Sequence, residues 1–304
     1  MKTLIQKQHQ RFVFSTLTTL NITALLIASL VATMVFTTSV YADDNTMKNS
    51  DKGNISSTSM KQKVTGTRDP NGYADGFNYR NMAGWEESDN ISISKVMVDQ
   101  FEYRNANNSE DYLRWDTQGW QGTDYDKLWL KFEGKQQTQS STGDMELQAL
   151  YSHSISPFWD VQTGARVDYS YSDGENSSRY FGVLGVQGLA PYWFEMEPAI
   201  FISSKGDLSA RLVASYDLLI TQKWVLQPRF EMNVSANDLP EYGIGKGVND
   251  VQMDLRLRYE FKREIAPYFG VTWIKKVGST ADYANQINEA ESETAVIAGV
   301  KIWF

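Results

Sequence analysis

The chain has 304 residues, a formal net charge of −8, no cysteine, 13% aromatic residues and a mean hydropathy of −0.43. Without cysteine there is no disulfide framework, no thiolate metal site and no lipid attached through sulfur, and the acidic balance disfavours nucleic acid as a partner while attracting cations. The low hydropathy excludes a bundle of membrane helices but not a membrane barrel, in which only alternate residues meet lipid and aromatic girdles mark the interfaces.

Residues 1–42 read as a secretory signal peptide. Lys2, Lys7 and Arg11 form a basic start, Ala24 to Phe36 is the apolar run, and Val40-Tyr-Ala42 places small side chains before a cut ahead of Asp43. The competing reading is an uncleaved anchor helix, because Leu17 to Phe36 approaches spanning length. Residues 43–90 are expected to be a flexible periplasmic segment. Up to about Asn71 they are rich in Asp, Asn, Ser, Lys and Thr and offer little to bury.

From Ile91 to Phe304 the pattern changes to segments of about ten residues with period-two alternation. In the clearest, Val251, Met253, Leu255, Leu257, Tyr259 and Phe261 share one face, and Gln252, Asp254, Arg256, Arg258 and Glu260 the other. Trp224 to Val234 repeats the design, with Gln227, Arg229, Glu231 and Asn233 on the polar side. So does Trp159 to Tyr171, with Asp160, Gln162, Arg166 and Asp168.

Twelve strands are expected, beginning near Ile93, Tyr112, Asp124, Asp144, Phe158, Arg179, Tyr192, Leu208, Lys223, Val251, Ala266 and Thr294. Tight connections at Gln121–Asp124, Ser154–Pro157, Gly188–Pro191, Thr221–Gln222 and Arg263–Ile265 alternate with longer ones, notably Ser172–Ser178, Ala236–Asp250 and Gly278–Glu293. An even count and this alternation are the marks of a transmembrane antiparallel up-and-down β-barrel with both termini in the periplasm of a Gram-negative bacterium. In the closing segment Phe304, Ile302 and Val300 fall on the lipid-compatible face, and Lys301 and Gly299 on the other. A soluble sandwich would fill its inner face with apolar side chains. Here that face carries charge.

The inward set is the principal candidate site: Asp160, Arg166, Asp168, Glu195, Glu197, Arg211, Asp217, Arg229, Glu231, Asp254, Arg256, Arg258 and Glu260. Rings of carboxylate would draw cations into a pore. Interleaved acids and bases could equally lock into a salt-bridged plug, and the pattern leaves both open. His153, the one histidine after the signal segment, is expected at the periplasmic end of the fourth strand, as a surface residue or a metal ligand. A hydrolase would need a histidine beside Ser or Asp near the outer side, which argues against an enzyme. Met145, Met196, Met232 and Met253 share parity with apolar neighbours and are expected to pack or face lipid, while Met97 is undecided.

Several blocks resemble the copper resistance protein B family: Arg68-Asp-Pro-Asn-Gly-Tyr-Ala-Asp-Gly76, Trp120-Gln-Gly-Thr-Asp-Tyr-Asp126, Ile155-Ser-Pro-Phe-Trp-Asp160, Gly185-Val-Gln-Gly-Leu-Ala-Pro-Tyr-Trp-Phe-Glu195, Leu255-Arg-Leu-Arg-Tyr-Glu260 and Arg263-Glu-Ile-Ala-Pro-Tyr268. The resemblance implies an outer-membrane component of copper resistance. Copper ion would be its ligand or substrate, and a periplasmic multicopper oxidase its possible partner. Family members usually carry a Met- and His-rich segment before the barrel. Here that segment has only Met47 and Met60, with Met82 beyond it and no histidine, so the metal candidates are Met47, Met60, Met82 and His153. Thioether suits Cu(I), whereas imidazole and carboxylate suit Cu(II). The expected function is copper binding or conduction at the outer membrane, with a non-conducting docking platform for the oxidase as the alternative.

Overall fold

The computed structural model describes residues 92–172 and 175–304. The expected signal peptide and N-terminal segment, with Met47, Met60 and Met82, lie outside the described residues. Alternating sequence becomes alternating structure in twelve strands: β1 (Ile93–Ala106), β2 (Tyr112–Gly122), β3 (Asp126–Gln137), β4 (Gly143–Ser156), β5 (Trp159–Ser172), β6 (Glu175–Ala190), β7 (Phe194–Ser203), β8 (Leu208–Ser215, resumed at Leu218–Leu219), β9 (Trp224–Ser235), β10 (Gly247–Tyr259), β11 (Ile265–Lys276) and β12 (Ser292–Trp303). Each pairs antiparallel with its sequence neighbours, and β12 pairs with β1, so the sheet closes on itself. Both pieces of β8 pair with β9 in one register, Ser215 opposite Arg229 and Leu218 opposite Leu226. The break between them faces Pro228, which has no N–H to give the ladder.

Burial runs inside out. On β10, Leu255 is 44% exposed, while Arg256 on the opposite face is 2% exposed. Phe269, Val271 and Val296 are likewise exposed, and Ile297 is buried with the inward residues. A water-soluble domain buries its apolar face and hydrates its charges. The reverse order requires hydrocarbon around the sheet, as in a transmembrane barrel.

One irregularity matters for the interior. The β1–β2 register shifts between Val98 and Gln100. The bulge turns Met97 and Asp99 inward on one side and Gln100, Glu102 and Arg104 inward on the other, so β1 shows no simple alternation.

The connections nearest Phe304 are short, and those at the opposite, loop end are mostly longer. The expected loop at Ser172–Ser178 is corrected: β5 runs to Ser172, which pairs with Glu175 at the start of β6. Beyond the hydrocarbon a strand has no reason to alternate apolar and polar residues, so its polar extension reads as loop in the sequence. The expected turn at Gly188–Pro191 moves to a 3-10 turn, Pro191–Trp193. The Gly278–Glu293 connection contains a helix, α1 (Ser279–Gln286). Its Thr280 hydroxyl accepts the Gly245 N–H at 2.9 Å and the Asn249 side-chain N–H at 3.1 Å, which fastens α1 to the β9–β10 loop.

Candidate functional site in the barrel lumen

The interior holds two kinds of wall. Along β9, β10, β11 and β1 it is a lattice of ion pairs. Glu102 accepts from Arg104 at 2.6 Å and Arg256 at 3.1 Å, and the Tyr268 hydroxyl donates to it at 2.8 Å. Arg256 also reaches Asp254 at 3.1 Å. Asp254 in turn accepts from the Thr272 hydroxyl and lies 3.5 Å from Arg229, which pairs with Glu231 at 2.8 Å. Glu102, Arg104, Asp254 and Arg256 are essentially sealed from solvent. A buried charge is tolerable only when paired and hydrogen-bonded, and here nearly every partner is itself shared.

Along β3 to β7 the ion pairs share the interior with a buried apolar cluster. Trp129, Leu150, Phe181, Val183 and Phe201 form a buried cluster, with Met97, Trp120 and Ala199 packed on it. The Arg166 guanidinium lies 4.5 Å from the centre of the Phe201 ring, where charge attraction to the ring face is effective.

Ion pairs also cross the lumen. Lys131 on β3 donates to Glu197 on β7 at 2.7 Å. Arg211 on β8 reaches Glu146 on β4 at 2.8 Å, and Arg114 on β2 lies 3.6 Å from Glu231 on β9. Above Arg211, at the loop end, a cavity of about 420 Å³ is lined by Asp144, Asp168, Asp207, Asp250, Arg166 and Arg179 among others. At the short-turn end the pairs are Lys127–Asp160 (2.8 Å), Lys301–Asp99 (2.7 Å) and Arg258–Asp217 (2.7 Å), with Glu260 3.5 Å from Arg258.

Several inward carboxylates have no Lys or Arg within salt-bridge distance among the described residues, Asp250, Asp116 and Glu195 among them. Asp250, near the loop end, accepts from Asn233 at 2.9 Å. Asp116 lies at mid-height directly opposite Glu133. Glu195, toward the short turns, accepts from the Ser215 hydroxyl at 3.3 Å. Asp250, Asp116 and Glu195 make a descending series of carboxyl groups without a direct cationic partner.

The inward carboxylates and guanidinia named from the sequence, Asp160, Asp168, Glu195, Glu197, Arg229, Glu231, Asp254, Arg256 and Arg258, share the lumen face of their strands, and Glu260 follows just past the end of β10 beside Arg258. His153 does not join them. It sits on the outward face near the short turns, 53% exposed, with Nδ1 2.7 Å from Asp126, whose carboxylate also accepts from the Tyr151 hydroxyl. Met145, Met196, Met232 and Met253 occupy outward positions, whereas Met97 points into the lumen opposite Gln118. Among the described residues no three His, Asp or Glu side chains converge as a ready metal cage. Sequence reading missed Glu102 and Arg104, hidden by the bulge. It also missed Lys131, Glu133 and Glu146, although the alternation Lys127, Trp129, Lys131, Glu133 against Leu128, Leu130, Phe132 was there to be read.

The chain matches the family described as Copper resistance protein B precursor (CopB) over residues 92–304. It is 37% identical over 226 residues to Copper resistance protein B of Escherichia coli, covering 74% of each chain. A Copper resistance protein B homolog of Pseudomonas syringae pv. tomato is also 37% identical over 226 residues, with 74% of this chain and 75% of that one covered. Among solved structures it is similar to NanC porin, at a TM-score of 0.47 and 15% identity over 68% of this chain and 98% of that one. KdgM porin is similar at 0.42 and 13%, over 67% and 98%.

Proposed function

The chain belongs to the copper resistance protein B family, and from that premise we propose that its outer-membrane barrel takes up copper ions into the lumen and passes them along its carboxylates. The series Asp250, Asp116, Glu195 carries this reading. Carboxylates free of guanidinium partners can exchange a cation stepwise, whereas those inside the ion-pair lattice are already neutralised. Glu197, a third exposed, lies beside Glu195 on β7 and extends the acidic side of the short-turn end. That end faces the periplasm, as does the N-terminal segment, whose Met47, Met60 and Met82 would take Cu(I) as soft ligands. His153, on the same rim but outside the lumen, would meet copper only after exit.

Copper uptake into liposomes carrying the full chain tests this. Flux above protein-free vesicles is expected, with a loss when Glu195→Gln and Glu197→Gln are combined. Neither flux nor copper binding above a scrambled control would end the proposal. The cross-lumen pairs favour a second reading, a closed barrel that serves as a docking platform for a periplasmic multicopper oxidase. In that case the same double variant would still capture the oxidase, and copper would not cross.

A further inference from the structure

Arg211 occupies an unusual position. It grows from β8, yet Nη1 and Nη2 grip Glu146, four strands away around the ring, at 3.2 and 2.8 Å. Nη1 is also 3.6 Å from Glu133 on β3, while Nε donates to Asn233 on β9 at 3.1 Å and lies 3.8 Å from Glu231. One planar guanidinium therefore ties β8 and β9 to β3 and β4. A two-pronged grip on a carboxylate is the strongest arrangement such a side chain can make. Arg166 approaches the same Glu146 oxygen at 2.8 Å from the β5 side and completes the bar.

The bar lies where two open regions would otherwise meet. The loop-end cavity has Arg211 and Arg166 in its lining. Below, Glu197 is 33% exposed, so the lumen is solvent-reached again within a short distance. Asp250 is in register with Asn233 and Arg211, and Asp116 with Glu133 and Glu146, so both carboxylates border the bar. We propose that Arg211 is a latch that separates the two regions and withholds Glu146 and Glu133 from an arriving cation. This rests on the conduction reading of the lumen. Removing the guanidinium does two things at once: it clears the constriction, and it leaves Glu133 without a cationic partner and Glu146 with Arg166 alone. Plain loosening of the barrel would do only the first.

Single-channel recording of the full chain in planar lipid bilayers with potassium chloride separates these cases. Arg211→Gln is expected to raise conductance several-fold over the unsubstituted barrel and to shift permeability toward potassium over chloride. Glu146→Gln frees the same latch but removes a carboxylate, so it should raise conductance with a smaller shift toward potassium. It also serves if Arg211→Gln does not fold, which heat-dependent migration on gels would reveal. Folded variants with the conductance and ion preference of the parent would overturn the latch. If potassium conductance rises in Arg211→Gln while copper flux stays at background, the latch stands and copper as cargo falls.

Discussion

The two walls of the lumen solve one problem with opposite chemistry. The β3–β7 wall holds, between its ion pairs, a cluster that fills the interior as a soluble core does, with Trp129, Leu150, Phe181, Val183 and Phe201. The β9–β1 wall fills it with Glu102, Arg104, Asp254 and Arg256, whose burial is bearable only because each charge is neutralised locally. The apolar cluster of the first wall depends on volume and the lattice of the second on pairing. Damage to the first should therefore scale with the cavity made, and damage to the second with the charge left alone.

The sharpest break is Glu102→Ala. It strands Arg104 and Arg256 without their shared carboxylate, and a loss of roughly 3–5 kcal/mol is expected, read as a drop in denaturant midpoint for the barrel in lipid vesicles. Adding Arg256→Met to that variant should recover part of the loss. No recovery would mean that shape, not charge, governs this wall. Leu150→Ala on the other wall is expected to cost roughly 2–5 kcal/mol through an unfilled cavity, with little dependence on salt. A strong salt dependence would merge the two walls into one.

The loop end should respond independently of both. Thr280→Val deprives the Gly245 N–H and the Asn249 side chain of their acceptor, at a cost of about 1–3 kcal/mol felt as faster amide exchange in the β9–β10 loop while the strands stay protected. The smallest effect concerns Asp111, in the β1–β2 loop. Hydrogen bonds from the Tyr103 hydroxyl, Asn105 and the Ala106 N–H hold its carboxyl below the usual aspartate range. Its contribution is thus fully present above the ordinary aspartate pKa and lost as pH falls through the lowered value. The Ala106 amide in detergent micelles should keep its neutral-pH chemical shift into that acidic range; a change at the ordinary aspartate pKa would remove this loop's clasp.

Legibility followed the physics of the surroundings. Wherever hydrocarbon meets one face and charge the other, as on β10, two-residue periodicity named each residue's side correctly. It failed on β1, where one extra residue puts Asp99 and Gln100 on the same side, and at Ser172–Ser178, where the strand has left the lipid. The candidate site was half legible. Parity placed Arg211 inward, while Glu146 was missed; only the curvature of the closed sheet brings the two within 2.8 Å, and no linear pattern encodes that distance. Helix α1 escaped because its polar sequence offers little apolar periodicity.

The seam between β1 and β12 has a consequence for assembly. Every other ladder joins sequence neighbours, while Val96 and Phe304 exchange backbone hydrogen bonds at 3.1 and 2.9 Å across nearly the whole barrel sequence. Hairpins can form as they are laid down, but this contact has the greatest chain separation and so the largest loop-closure cost. Until it forms, β1 and β12 are bare edges that invite pairing with another molecule. Ring closure should therefore be the slow step of folding, and an escort that shields those two edges would protect the nascent barrel most.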